Sequence, residues 1–320
     1  MTKQASLNST LLSERPQLPS TNAYRGRFAP SPSGLLHFGS LIAALASFLD
    51  AKSFVSPDGK SGKWLVRIED IDPPREQAGA SSAILATLEA FGLYWDEPVL
   101  YQSQQSEIYQ DALSDLQRQN LSYYCQCTRA EIKSIGGVYQ GHCRTRNRPK
   151  NNSAIRLINQ HGIYQFDDLF QNQEQGKVEC EKALAKEDFI IHRKDGLFAY
   201  QLAVVVDDIY QNINHVIRGC DLLEPTARQL TLFATLNSSI PKYGHVPLAV
   251  TTKGYKLSKQ NKAPAINNNT PQPALIAALK FLGQMPDENL VHEKVDDIIC
   301  WAINHWSRDK VAKVKEISIE

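Results

Sequence analysis

A chain of 320 residues is long enough for about two domains, or for one domain carrying an insertion, and it buries a core without covalent staples. Hydrophobic residues at 42% and charged residues at 22% exclude disorder across the whole chain. With 35 basic against 34 acidic side chains the formal charge is +1, so bulk charge does not bind nucleic acid and any such contact needs a local basic patch.

Residues 1–21 are polar, rich in Ser, Thr, Gln and Asn, and contain no apolar stretch of the signal-peptide type. They predict a mobile tail, taken to residue 23, on a cytoplasmic protein. Arg25 to Ala29 predicts a short strand. Pro30-Ser31-Pro32-Ser33-Gly34 breaks the regular pattern, and beyond Gly39-Ser40 it turns helical, with Leu41, Leu45 and Phe48 on one face. The apolar part, Leu41 to Leu49, is too short for a membrane span of about 18 residues or more, and no membrane association is expected. A strand, a Pro/Gly loop and a helix N-terminus in succession aim backbone N–H groups at whatever lies over the loop.

From Lys63 to Asp70 the residues alternate, Trp64, Val66 and Ile68 against Leu65, Arg67 and Glu69, which predicts a half-buried strand. Asp70, Asp72, Pro73 and Pro74 end it. Helices follow over 81–91, with Gly92 as the stop, and over 106–119. Between 123 and 150 cysteine, glycine and arginine concentrate and apolar periodicity fades, the mark of a small inserted module. Lys194-Asp195-Gly196 between 189–191 and 197–200 predicts a hairpin. Ala203 to Val206 is too short for periodicity to separate helix from strand. Val216-Ile217 predicts a strand and 222–236 a helix. A lysine-rich loop over 253–262, a linker marked by Asn267 to Asn269, Pro271 and Pro273, and a helical segment over 274–306 complete the chain.

The alternation predicts an α/β core with a mostly parallel sheet. The expected division is a core in two halves, 24–122 and 189–262, an insertion over 123–188, and a short C-terminal helical subdomain over 263–320.

Two segments invite a nucleotide. In the first loop His37 offers an imidazole donor to a phosphate, and Gly39 leaves room for a flat base against the backbone. In the second, Lys256 and Lys259 flank Ser258 and suit a polyphosphate. Alone, the first is ordinarily a turn and the second a solvated loop. Together, Arg27-Phe28-Ala29-Pro30-Ser31-Pro32-Ser33-Gly34, His37-Phe38-Gly39-Ser40 and Lys256-Leu257-Ser258-Lys259-Gln260 occur in the order of the two ATP motifs, HIGH and KMSKS, of class I aminoacyl-tRNA synthetases. The sequence resembles their glutamyl and glutaminyl subgroup in particular, as do Arg67-Ile68-Glu69-Asp70, Tyr200 within 198–208, and Arg218-Gly219-Cys220-Asp221-Leu222. The departures are Ser40 for the last histidine of the first motif, and Leu257 and Gln260 in the second.

The resemblance implies a Rossmann-like nucleotide-binding core, with ATP and magnesium at Pro30, His37, Gly39, Ser40 and Lys259. It makes His37, Ser40, Lys256 and Lys259 the catalytic set. It also implies glutamate contacts at Arg27, Phe28, Ala29, Pro30, Ser31, Glu69, Tyr200 and Arg218. The residue types suit that substrate: arginine forks for a side-chain carboxylate, an acid for the ammonium group, and a hydroxyl. An arginine facing a neutral amide would be left unpaired, which selects glutamate over glutamine.

Cys125, Cys127 and Cys143 crowd into 19 positions and suit a closed, structural zinc site. Chemistry alone makes His142 the fourth ligand. The resemblance, at the level of truncated glutamyl-type paralogues with a C-x-C and Y-x3-C pattern, makes it Tyr139, whose phenol a divalent cation would acidify. Arg144, Arg146, Arg148 and Lys150 either hold a phosphate backbone or form a solvated face.

Only 61 residues follow Lys259. The expectation is therefore no large anticodon-binding region, which resembles the truncated paralogues that activate L-glutamate with ATP, without needing tRNA, and pass it to the cyclopentenediol of queuosine at the wobble position of tRNA(Asp). A monomer is expected. Two other readings stay open: a minimal glutamyl-tRNA synthetase that charges a tRNA 3′ end, and an inactive paralogue that binds tRNA.

Overall fold

Two cavities open beyond the C-terminal ends of the strands of one parallel sheet, and the chain's order of strands puts them there. The structure is a computed structural model describing residues 23–171, 177–251 and 264–319. Lys256, Lys259 and the N-terminal segment up to residue 22, for which the sequence predicts phosphate binding and a tail, lie outside the described residues.

Strand β1 (Arg25–Phe28) leads through the Pro/Ser loop into helix α1 (Phe38–Lys52). β2 (Lys63–Ile68), α2 (Ala80–Ala90), β3 (Leu100–Tyr101) and α3 (Ser106–Arg118) follow. After the insertion come α6 (Tyr200–Tyr210), β9 (His215–Gly219), α7 (Leu223–Thr235) and β10 (Lys242–Val246). The five strands pair in parallel in the order β10-β9-β1-β2-β3. The order reverses between β1 and β9, so the crevice beyond their C-terminal ends is where ligands bind in open sheets of this kind.

Each face of the sheet carries a core. On one, Trp64, Val66 and Ile68 of β2 pack with Leu41, Leu45 and Phe48 of α1. That layer also holds Leu275 and Leu279 of helix α8 (Gln272–Phe281) and Ile298 of α9 (Val295–His305). On the other face Leu65 packs with Leu113, Val205 and Leu230. This corrects the half-buried reading of β2: five of its six residues are buried, because a central strand of a parallel sheet is covered on both sides. Ala203 to Val206 is helical, inside α6.

Spanning the insertion and its flanks, β4 (Ser122–Cys125), β5 (Ala154–Leu157) and β8 (Ile190–His192) form a separate antiparallel sheet, with the short helix α4 (Arg129–Ser134) following β4. A hairpin pairs Arg193 N–H with the Leu197 carbonyl (2.8 Å) and Ala199 N–H with that of Ile191 (3.1 Å). Its second arm is not a full strand. Only Phe198 bridges His192, because Tyr200 already begins α6. Strand β6 (Gln165–Phe166) pairs with β7 (Val178–Glu179), and α5 (Lys182–Ala185) follows. A further pairing is not foreseen by the sequence: β11 (Leu248–Val250) runs parallel to β12 (Glu316–Ser318) as a separate two-stranded sheet, so the C-terminal segment returns to the chain just after β10.

Candidate active site and metal centre

α1 starts at Phe38, one turn earlier than the apolar pattern alone suggests, because His37 is its N-cap. The Nδ1 atom of His37 accepts a hydrogen bond from Ser40 N–H (3.3 Å). That assigns the ring proton to Nε2. From far along the chain, Ala265 bridges His37, and Ile266 N–H donates to the Leu36 carbonyl (3.1 Å).

A cavity of about 210 Å³ opens beyond the C-terminal ends of β1 and β9. It brings together Arg27, Phe28, Ala29, His37, Gly39, Ser40, Glu69, Tyr200 and Arg218, residues separated by up to 191 positions in sequence. Ala43, Ile217 and the segment 246–249 add an apolar wall. Ser31 lines a second cavity of about 370 Å³ that shares Glu69 and Tyr200 with the first. Pro30 lines neither; its carbonyl accepts from Glu69 N–H (3.0 Å) and so fixes the height of Glu69 beside β1.

The charges under this cavity form one buried network. Arg27 forks onto Asp208 through Nε and Nη2, both at 3.2 Å. Arg67, fully buried on β2, donates to Asp208 Oδ1 (2.7 Å) and Gln211 Oε1 (2.9 Å), with Asp207 Oδ2 at 3.6 Å. Gln102 and Tyr109 donate to Asp207 (2.7 and 2.8 Å). Burial would raise Asp208, but Arg27 and Arg67 outweigh it and hold the carboxyl below its ordinary value. Burial lifts Asp207 to about 6 against the pull of Arg67. Burial also lifts Glu69 to about 7, although Arg67 and Arg27 pull it down. Glu69 Oε1 has no hydrogen-bond partner among the described residues.

The sequence alone gives no role to Asp207, Asp208 or Gln102, and Arg67 enters it only as part of a motif. The signal it carries is two adjacent acids in the apolar run of α6 and one arginine in an apolar strand. Buried charges of that kind are paired.

In the insertion the sulfur atoms of Cys125, Cys127 and Cys143 lie within 4.8 Å of one another, Cys127 and Cys143 being 3.6 Å apart. Two thiolates on a tetrahedral zinc, with Zn–S of about 2.3 Å, would stand about 3.8 Å apart, so the donors fit. Tyr139 is buried against the cluster, its hydroxyl accepting from Cys143 N–H (2.8 Å). His142 is exposed, and its ring centroid lies 5.7 Å from that of Tyr139. Arg156 donates to Cys125 Sγ (3.2 Å) and covers the Tyr139 ring at 3.7 Å, a cation suited to a site with more anionic ligands than the ion can neutralise. Burial works against the Cys143 thiolate, but the Gln126 N–H and other donors outweigh it and bring the thiol down to about 7. Burial pushes Cys127 up to about 12.

Of the basic run, Arg144 is committed to Asp188 (2.5 Å through each of two nitrogens), while Arg146 and Lys150 are exposed. Cys180 and Cys220 are buried free thiols and Cys300 is exposed. No helix among the described residues is long and apolar enough to cross a membrane.

Residues 23–293 match the family model for tRNA synthetases class I (E and Q), catalytic domain. A protein of Colwellia psychrerythraea called glutamyl-Q tRNA(Asp) synthetase is 70% identical over 302 residues, 93% of this chain and 95% of that protein. One of the same name from Escherichia coli strain K12 is 53% identical over 283 residues, 88% of this chain and 89% of that one. The fold is similar to the crystal structure of glutamate-tRNA synthetase from Elizabethkingia anophelis, with a TM-score of 0.72 at 24% identity, covering 91% of this chain and 67% of that one.

Proposed function

The chain belongs to the class I tRNA synthetases of the glutamyl and glutaminyl type, and from that membership we propose that it activates L-glutamate with ATP and transfers it to queuosine in tRNA(Asp). The observation that carries the reading is the cavity at the sheet's switch point. It collects two arginines, a glutamate and a tyrosine beside the start of α1.

Glutamate would lie with its ammonium group on Glu69 and its side-chain carboxylate against Arg218, with Arg27 and Tyr200 alongside. Buried as they are, these arginines reject a neutral amide, because the exchange would leave a guanidinium unpaired. The α-carboxylate oxygen attacks the α-phosphorus of ATP, and pyrophosphate leaves. His37 Nε2–H and the N-terminal amides of α1 stabilise the charge that grows on the α-phosphate oxygens. Lys256 and Lys259 would neutralise the departing phosphates, together with the magnesium that accompanies ATP.

A ring hydroxyl of queuosine then attacks the activated carbonyl and AMP leaves. We place the acceptor in the adjoining cavity of about 370 Å³, which shares Glu69 and Tyr200 with the glutamate site and offers Phe198 as a flat apolar face. No described side chain stands out as a general base for this step, so positioning an already activated ester is assigned the main part of the rate. In the insertion, Cys125, Cys127, Tyr139 and Cys143 would hold zinc, which supplies a structural cross-link when bound.

The test is the place of attachment. Labelled glutamate, ATP, magnesium and bulk tRNA are incubated with the protein and the tRNA is digested. Label in the anticodon fragment of queuosine-containing tRNA(Asp) supports the proposal. Label on a 3′-terminal adenosine refutes it in favour of a small charging enzyme.

A further inference from the structure

Arg218 is held from three sides. Its Nε donates to His245 Nε2 (3.1 Å), and its Nη2 donates to Thr226 Oγ1 (2.6 Å) and the Leu222 carbonyl (3.2 Å). The guanidinium carbon stands 5.0 Å from the centre of the Tyr243 ring. The remaining nitrogen, Nη1, is buried and has no partner among the described residues. Arg218 therefore presents one unused donor edge in a cavity wall.

Behind it stands a second pair. His245 and Asp168 are fully buried, with His245 Nδ1 2.5 Å from Asp168 Oδ2. Asp168 Oδ1 accepts from the backbone N–H groups of Phe170 and Gln171 (2.9 Å each) and of His245 (3.1 Å). Asp168 also bridges Tyr243, so this part of the insertion joins the outer edge of β10. A carboxylate facing Nδ1 requires the ring proton there. Thr226 Oγ1 also lies 3.1 Å from Nε2 but donates its own proton to the Leu222 carbonyl (2.8 Å), which leaves the Nε2 lone pair for Arg218 Nε–H. Burial holds His245 below its ordinary value, in keeping with a neutral ring.

We propose that Asp168 and His245 are positioning residues for glutamate capture. Asp168 fixes the tautomer of His245, and His245 fixes the Arg218 guanidinium so that its Nη1 edge meets the substrate carboxylate. The inference rests on Arg218 being the carboxylate-binding group in the function proposed above. It reaches beyond that function by assigning the residues that set its geometry.

Asp168→Asn tests the link selectively. The amide oxygen can still cap the three backbone N–H groups. Its NH2, facing Nδ1, drives the ring proton to Nε2, where it can turn to Thr226 Oγ1 (3.1 Å) but no longer accepts from Arg218 Nε–H. Glutamate-dependent pyrophosphate exchange should then show a glutamate KM raised about tenfold or more, with the ATP KM unchanged. Nitrogen-15 spectra of the imidazoles should show the His245 proton moving from Nδ1 to Nε2. His245→Leu should raise the glutamate KM similarly, and His245→Gln, which restores an acceptor toward Arg218, should recover most of the loss. A glutamate KM within about twofold of wild type in both Asp168→Asn and His245→Leu, or a parallel rise in both KM values, overturns the inference. So does a wild-type His245 protonated on Nε2, a readout that needs no activity. Wild-type protein without glutamate-dependent exchange would instead refute the function proposed above.

Discussion

In the proposed glutamate site, Glu69 would trade stability for binding. Its carboxyl sits at about 7 because burial outweighs two nearby guanidinium groups. Only the ionised form attracts an ammonium group, so the glutamate KM should rise as pH falls below about 7, and Glu69→Gln should raise the KM and flatten that dependence. Stability runs the other way. An unfolded glutamate titrates near about 4.3. The contribution to folding is full below that value and is lost as pH rises through about 7. Glu69→Gln should thus raise the melting temperature at pH 8 and leave it unchanged at pH 4. Thermal scans of both proteins at the two pH values check it. A second residue-scale expectation concerns the fourth metal ligand. Tyr139 packs against the cysteine cluster with its hydroxyl on the Cys143 N–H, and His142 is exposed. Tyr139→Phe should lower zinc content measured after dialysis, and His142→Ala should not. The opposite pattern would make His142 the ligand.

Elements here are pinned by a few buried polar groups that periodicity does not register. α1 carries Asp50, buried among apolar neighbours, and three residues from outside the helix meet it. Tyr24 OH donates to it at 2.6 Å, Trp306 Nε1 at 3.1 Å, and Arg308 through two nitrogens at 2.6 and 2.9 Å. This ties the chain's C-terminal segment to the first helix of the sheet. Asp50→Ala leaves those donors unpaired and should cost about 2–3 kcal/mol in chemical denaturation, with part of the Arg308 loss offset by water. The same logic explains α6. Its apolar run leaves helix and strand open, and its two acids meet the arginines on the face of the sheet that α6 covers: Asp208 pairs with Arg27 and Arg67, and Asp207 lies 3.6 Å from Arg67. Strand β2 alternates in sequence because Arg67 and Glu69 sit on the side of the charge network, which is as buried as the side of Trp64.

For the molecule as a whole, the main sheet has a thick core on each face, whereas the hydrophobic residues packed with the cysteine cluster, among the described residues, are only Tyr139, Tyr123 and Ile132. A unit that small depends on cross-links or metal for its order. Chelation should therefore raise hydrogen exchange around residues 122–157 while β1, β2 and β9 stay protected; uniform loosening of both sheets would contradict it.

Several features were legible from the amino-acid sequence by itself because they are local. The Pro/Ser loop stops a strand and starts a helix, the C-x-C and the later cysteine mark soft ligands, and the order of motifs marks the family. The glutamate-site residues were named from that resemblance, and the fold draws most of them to one cavity. Other features depend on contacts far apart along the chain. The burial of both faces of β2 follows from its central place in the sheet. The pairing of β11 with β12 joins segments more than 60 residues apart. The chain from Asp168 through His245 to Arg218 joins the insertion, β10 and β9. An isolated sequence lists these charges and histidines, but whether each is paired depends on which groups the tertiary fold brings within hydrogen-bond distance as it removes them from water.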